Sequence, residues 1–425
     1  MSGATRAHLC RALLLVASLA PAWASTAAPP ATAAEAEAAS PPAVSLESPE
    51  AVKAREQTWD TLVRLGIDAD LHGRHDEADA TWDRLEAIDA HDPEPWLRRV
   101  DTVYWRHWYD ESQALSQETL RRLLERSRSL AEAGLRTNED DLRSRWMLGE
   151  VLMQEARLEA MSGNYMRAGT MGERGRNELE RLLEVDPDHP QAGYPLGLYY
   201  YFSSLMPQFV QKMSWLWFIP KGDRDKGLEL LGEIQRGDSV YSPSASMVLM
   251  AIHTYHSPTD IPAAVRLSEQ LHASYPENAI LHFELLEVLL KAGRHERMMA
   301  EALELEQRVG ESKSVTGRAM LARIWRARAA IELGRTDEAR SIVFEIEEDD
   351  PHLPEWGRVW LWVVRGHLLD VEGNRAGAVA AYEKVLSFEL DDFYGERPMG
   401  LAKSGIAEPY QPGAVVDGPI ITSRD

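Results

Sequence analysis

Pairs of amphipathic helical segments joined at a single glycine recur along this chain of 425 residues. In the clearest pair, Trp362, Gly366 and Leu369 share one helical face, and a second apolar face follows the break at Gly373. The same order recurs around three further glycines, Gly73, Gly293 and Gly334. A small residue in each helix lets two helices cross closely, and glycine ends a helix in the left-handed conformation without steric cost. Because no alternating polar and apolar run is long enough for a β-strand, the pattern predicts an all-α stack of helical hairpins.

These pairs resemble tetratricopeptide repeats (TPR), in which the first helix, helix A, carries the pattern L-G-x-x-Y. Leu196-Gly197-x-x-Tyr200 and Trp146-x-Leu148-Gly149 match that pattern. The last three turn glycines lie about 40 residues apart, farther than the 34 residues of the family. The resemblance implies a right-handed α-α superhelix, a TPR-like solenoid of roughly seven or eight hairpins over residues 51–395, with A helices lining a concave groove.

Three stretches depart from the repeat. Residues 94–140 match it poorly and predict one long helix pair, whereas residues 153–180 and 203–222 are predicted to be insertions. The second insertion resembles one found in exported bacterial TPR proteins of uncharacterised function. Its aromatic residues are candidates to fill the groove, to contact a partner or to lie at a membrane interface, and the few positive charges nearby make the membrane alternative the weakest. These residues are Trp215, Trp217 and Phe218.

The amino-terminal sequence predicts export. Arg6 and Arg11 precede an apolar stretch that is too short to span a bilayer, and Ala22-Trp23-Ala24 supplies small residues for cleavage. We therefore expect a signal peptide over residues 1–24 and an extracytoplasmic protein, either periplasmic or secreted. Residues 25–50 are rich in Ala and Pro and predict a disordered linker, and residues 396–425 predict an extended tail.

Charge and residue types exclude several classes of function. The chain has 46 Lys and Arg against 68 Asp and Glu, a net charge of −22, and such an acidic protein lacks the basic face that nucleic acids require. Its one cysteine, Cys10, lies in the predicted signal peptide, which excludes thiol catalysis in the mature protein. No phosphate loop, nucleophile elbow or dinucleotide fingerprint occurs. His253 and His256 lack a third ligand nearby, so we predict no metal, no cofactor and no enzymatic activity.

The resemblance also implies which side chains face the groove. Helix A of the last unit places four residues there: Trp360, Val363, His367 and Asp370. The two preceding units contribute Ile324, Arg328, Phe283 and Glu287. The lysine and asparagine set with which some family members clamp a peptide carboxylate does not match this sequence.

These observations favour a non-catalytic periplasmic scaffold that binds a protein or peptide in its groove, with basic partners favoured by the acidic surface. An alternative is a subunit that binds a solute or lipid and accompanies a transporter or an envelope-assembly complex. A further alternative, an all-α enzyme, is ranked last because the glycines and small residues are explained by packing. The residues leave the oligomeric state open.

Overall fold

The structure is a computed structural model that describes residues 49–109, 115–205, 222–310, 316–350, 353–389 and 392–413. These ranges contain seventeen α-helices and no β-strand, which confirms the predicted all-α class. In chain order the helices are α1 (Pro49–Leu71), α2 (His75–Ile88), α3 (Glu94–Tyr109), α4 (Gln117–Thr137), α5 (Leu142–Met161), α6 (Tyr165–Val185), α7 (Gly193–Ser204), α8 (Arg224–Arg236), α9 (Ser242–Tyr255), α10 (Ile261–Ser274), α11 (Ala279–Lys291), α12 (His295–Gly310), α13 (Thr316–Glu332), α14 (Thr336–Glu345), α15 (Glu355–Val371), α16 (Arg375–Leu386) and α17 (Asp392–Ala407).

The first sixteen helices pair as eight hairpins, from α1 with α2 to α15 with α16. Within each hairpin the two helices pack together, and the second helix also packs on the first helix of the next hairpin. Helix α17 continues the array by packing on both helices of the eighth hairpin. Stacking of sequence neighbours is what a helical solenoid requires, so the structure is a TPR-like helical repeat.

Glycine ends the first helix in five hairpins. These glycines have φ between 66° and 78°, a conformation that side chains disfavour, and they are Gly73, Gly163, Gly293, Gly334 and Gly373. After α15, the amide of Asn374 donates to the Leu369 carbonyl (2.8 Å) and that of Gly373 donates to the Asp370 carbonyl (2.9 Å). This pair of bonds closes the helix as a Schellman motif and turns the chain back. The four turn glycines predicted from the sequence are confirmed.

Small residues in the first helix let the second helix approach, as the pattern predicts. A Cβ atom added at Gly366 would overlap the Tyr382 ring of α16, and one added at Gly66 would overlap the Trp82 ring of α2. Both rings are fully buried. The large side chain of one helix therefore occupies the space that glycine leaves on the other, and this packing holds the two helices of a hairpin together.

The prediction of an insertion over residues 153–180 is wrong. These residues form the end of α5 and most of α6, which is a regular third hairpin that turns at Gly163. A Cβ atom at Gly175 would lie 2.8 Å from the Gly149 carbonyl oxygen, so two glycines bring the helix backbones unusually close. The long helix pair expected over residues 94–140 is confirmed as α3 and α4.

The prediction of an extended tail over residues 396–425 is wrong for its first part. Helix α17 continues to Ala407, and Leu401 and Ala402 are buried in the core of the last hairpins. Burial of these side chains outweighs the low helix propensity of Pro398 and three glycines in α17. The predicted signal peptide, most of the linker, the residues after 413 and the aromatic residues Trp215, Trp217 and Phe218 lie outside the described residues.

The first hairpin also contacts hairpins far along the chain. Asn278, which caps α11, donates from Nδ2 to the Leu71 carbonyl at the end of α1 (2.7 Å). Arg64 pairs with Asp238 (3.1 Å), and α3 packs on α11. Trp59 and other apolar residues of α1 share a core with residues 234–245. The first six hairpins therefore close on themselves, a contact that the repeat pattern alone does not predict.

Candidate partner-binding face

An aromatic row crosses the A helices of hairpins six to eight. Each helix contributes one ring: Phe283 from α11, Trp325 from α13 and Trp360 from α15. The Phe283 and Trp325 ring centroids are 4.9 Å apart, and those of Trp325 and Trp360 are 5.2 Å apart. Edge and tilted contacts at these distances are favourable for aromatic pairs, so the three rings, which are only 1–6% exposed, form one fixed cluster shared by three hairpins. We call this row of rings the aromatic face.

Charged groups of opposite sign surround the aromatic face. The guanidinium carbons of Arg328 and Arg397 lie 5.2 Å and 5.1 Å from the Trp360 ring centroid, within the range of cation–π attraction. Arg397 comes from α17, and its Nη1 donates to Glu287 Oε2 on α11 (2.7 Å). The other oxygen of Glu287 accepts from the indole of Trp325. A carboxylate fixed beside aromatic rings in this way is suited to hold a guanidinium group.

The residues that follow α17 contact the carboxyl ends of α13 and α15. The Tyr410 ring stacks on His367 with centroids 3.8 Å apart and 7° between the planes. The Tyr410 amide donates to Asp370 Oδ2 (2.9 Å), and its hydroxyl donates to Glu332. The Gly413 amide donates to the other oxygen of Glu332 (2.8 Å). Two carboxylates thus bind backbone amides and a hydroxyl of a short stretch of chain.

Residues 397–413, which we call the C-terminal segment, therefore contact the aromatic face through Arg397, which lies over the Trp360 ring and binds Glu287. Tyr410 and Gly413 bind at the ends of α13 and α15, where His367, Asp370 and Glu332 form what we call the edge of the face. These internal contacts consist of a guanidinium beside an aromatic ring, a stacked aromatic ring and two backbone amides. Each element also occurs in peptide recognition between proteins.

Of the eight residues predicted to face a groove, six lie on the aromatic face or at its edges. They are Phe283, Glu287, Arg328, Trp360, His367 and Asp370. The prediction is wrong for Ile324 and Val363, which are fully buried in the core of the last hairpins. For the other six residues, contact with a second protein stays a prediction.

Sequence reasoning missed Arg397, Tyr410 and Glu332. Arg397 and Tyr410 lie in the stretch that was predicted to be an extended tail, and Glu332 lies at the end of α13, beyond the matched positions. One signal was available: a tyrosine and an arginine in an otherwise Gly- and Pro-rich segment. Such residues carry much of the energy in segments that dock on protein surfaces.

A buried polar network lies inside the closed first six hairpins. Arg98 of α3 is fully buried and donates to Glu94 (2.8 Å) and to the Tyr241 hydroxyl (2.6 Å), which in turn donates to Glu150 of α5. Burial raises the pKa of Glu150 to about 7, although Arg98 opposes the increase. Burial also acts to raise the pKa of Glu94, but Arg98 and Arg143 outweigh burial and lower this pKa. Because its members bind one another, the network links α3, α5 and the start of α9.

A cavity of about 410 Å³ lies where α1 meets the segment before α9. Its walls include Leu65, Leu71, Val240, Pro243 and Tyr275, and Arg64 and Asp68 also line it. Leu65 is 51% exposed. This volume lies within the range of small-molecule pockets, about 300–1,000 Å³.

The two histidines considered in the sequence do not lie together as ligands. His256 is buried, and its Nδ1 forms a hydrogen bond of 2.8 Å with the Tyr201 hydroxyl. Burial and the nearby Arg224 lower the pKa of His256 to about 3, so the ring is neutral. His253 is only partly buried on the preceding turn of α9. Within the described ranges, no helix is both long and apolar enough to cross a bilayer.

The hairpins, their turn glycines and the glycine-to-aromatic packing define an all-α TPR-like helical-repeat protein. Two solved structures are similar to it in part. A tetratricopeptide repeat protein from Parabacteroides merdae has 14% identity and a TM-score of 0.28, over 82% of this chain and 99% of its own. Yeast Tom70 has 11% identity and a TM-score of 0.33, over 87% of this chain and 86% of its own. No family model and no curated protein matches the sequence. At such low scores, the class rests on the helix packing itself.

Proposed function

We propose that this protein is an extracytoplasmic, non-catalytic scaffold that binds a segment of a partner protein on the aromatic face. The observation that supports the proposal is the C-terminal segment, which already occupies this face through Arg397 and Tyr410. A partner segment with a guanidinium and an aromatic ring at a similar separation would make the same contacts. It would have to displace the side chains of Arg397 and Tyr410, so the partner competes with intramolecular contacts.

Competition of this kind lowers the apparent affinity for a partner. A tethered segment acts at an effective concentration in the millimolar range, so it excludes weak ligands and admits those that bind the face more tightly. The acidic protein attracts basic segments, and Glu287 is already positioned to accept from one. The proposal thus retains the basic partner predicted from the sequence, and its basic side chain would donate to Glu287.

The proposal is tested with a fluorescent peptide of residues 392–413 and the full chain. In the double variant R397A/Y410A the tethered segment loses its two main contacts, so we expect the peptide to bind at least about tenfold more tightly than it binds the wild type. A peptide in which both residues are alanine should not bind. The control R340A removes an exposed arginine of α14, which pairs with Glu372 away from the face, and should behave as the wild type. Failure of the peptide to bind the double variant would contradict the proposal.

A second candidate function, binding of a small molecule, is supported by the cavity between α1 and the segment before α9. Its walls are mainly apolar and include a few polar groups, which suits an amphipathic solute. Native mass spectrometry of protein purified without detergent would reveal a retained ligand. The variant L65W, which places a large ring in the cavity, should lose that ligand, whereas I88W on the exposed side of α2 should retain it.

A further inference from the structure

Two histidines and a glutamate meet where hairpins five and six join. His272 comes from α10, His282 from α11 and Glu301 from α12, and one potential ligand atom from each lies within 4.8 Å of the other two. His282 Nε2 is 3.0 Å from Glu301 Oε2, and His272 Nε2 is 3.9 Å from the same oxygen. The three side chains belong to three successive helices and none of them takes part in the aromatic face.

The separations suit a metal ion. Two ligand atoms that are each about 2.0–2.1 Å from Zn²⁺ lie about 3.3–3.5 Å apart in a tetrahedral site. The distances of 3.0 Å and 3.9 Å from the two histidines to Glu301 fall on either side of that value, and all three ligand atoms lie within 4.8 Å of one another, so side-chain adjustment brings them into range of one ion. Imidazole nitrogens and a carboxylate oxygen are ligands of zinc sites that retain one open position for water.

A simple hydrogen bond accounts for only part of this arrangement. His282 is completely buried, and its Nε2 binds Glu301, whereas its Nδ1 has no hydrogen-bond partner among the described residues. The His272 ring lies against the His282 ring, with centroids 4.1 Å apart. Its Nε2 is 3.9 Å from the Glu301 carboxylate, too far for a hydrogen bond, and its buried Nδ1 has no partner among the described residues. The hydrogen bond between His282 and Glu301 does not require a second imidazole directed at the same oxygen. A metal site does, because His272 then supplies the third ligand.

The surroundings also favour binding. Arg297 donates to Glu301 Oε1 (3.3 Å), which orients the carboxylate and leaves Oε2 directed at the histidines. Outer partners of this kind fix metal ligands in their binding orientation.

We propose that His272, His282 and Glu301 form a binding site for one divalent transition-metal ion, with Zn²⁺ preferred. The site joins α10 to α11 and α12. Only a few residues after His272, Tyr275 packs on His72 (centroids 5.2 Å apart) and Asn278 binds the end of α1. A bound ion would thus stabilise the part of the chain on which the first hairpin closes.

The test uses the full chain without a histidine tag, stripped of metal with a chelator. Titration with Co²⁺ should give the visible absorption of a tetrahedral ion at one equivalent, and Zn²⁺ should displace it. Zn²⁺ should also raise the melting temperature. The side chains of His272 and Glu301 are only 16% exposed but lie at the edge of the core. In H272A and E301Q we expect Co²⁺ affinity to fall at least about tenfold, because each substitution removes one ligand.

The matched control is H91A, since the His91 side chain is 92% exposed and far from the cluster in sequence. It should bind Co²⁺ as the wild type does. Circular dichroism shows whether each metal-free variant is folded, and E301Q retains the shape of the side chain if H272A does not fold. A wild type that binds no tetrahedral Co²⁺, or folded H272A and E301Q that bind it as tightly as H91A, would overturn the proposal.

Discussion

Replacing Glu150 with glutamine should change how the free energy of unfolding depends on pH. Glu150 is buried inside the closed hairpins, and burial raises the pKa of its carboxyl from 4.5 to about 7. Between these pH values the unfolded chain releases the proton while the folded chain retains it, so the free energy of unfolding falls as pH rises. A difference of about 2.5 in pKa corresponds to about 3 kcal/mol in total at 1.36 kcal/mol for each unit. Most of it, about 2 to 3 kcal/mol, develops between pH 5 and pH 8.

The substitution E150Q retains an oxygen that accepts from Tyr241 but cannot ionise. In urea unfolding followed by circular dichroism, E150Q should therefore gain about 2 to 3 kcal/mol relative to the wild type on going from pH 5 to pH 8. The control is E77Q, an exposed glutamate of α2 that pairs with Arg74 at the surface. If E150Q follows the same pH dependence as the wild type and E77Q, the carboxyl is ionised in the fold and the reasoning fails.

Three further perturbations test the packing, the closure and the charge of the molecule. G366A should lower the free energy of unfolding by about 1–3 kcal/mol, because the new methyl group overlaps the buried Tyr382 ring, whereas G400A, with open space around its Cβ, should not. N278A should cost about 1–2 kcal/mol in urea unfolding, because α11 loses its cap and the Leu71 carbonyl its donor. Raising salt from 50 to 500 mM should weaken peptide binding to R397A/Y410A about threefold or more, measured by fluorescence anisotropy, and an unchanged affinity would exclude electrostatic attraction.

Local features of the fold were predictable because their cause is local. A glycine that must adopt positive φ at a helix end, as Gly373 does, leaves a signal within a few residues of sequence. The pairing of Gly366 with Tyr382 is likewise contained within one hairpin. These signals are sufficient to predict the all-α class and the stacking of neighbours.

Features that depend on the curvature of the whole array were not predictable. The bond from Asn278 to Leu71 joins residues more than two hundred positions apart, and no pattern in either segment indicates the other. The contact of Arg397 with Glu287 arises in the same way. The three proposed metal ligands belong to three helices without a spacing motif, so only their positions in space bring them together.

Hydrogen exchange at the amides of residues 410 and 413 tests the proposed occupation of the aromatic face most directly. In the structure these amides donate to Asp370 and Glu332. Exchange in the full chain should be at least about tenfold slower than in an unstructured peptide of the same sequence, and R397A/Y410A should lose this protection. Exchange of both amides at the unprotected rate in the wild type would show that the C-terminal segment does not occupy the face.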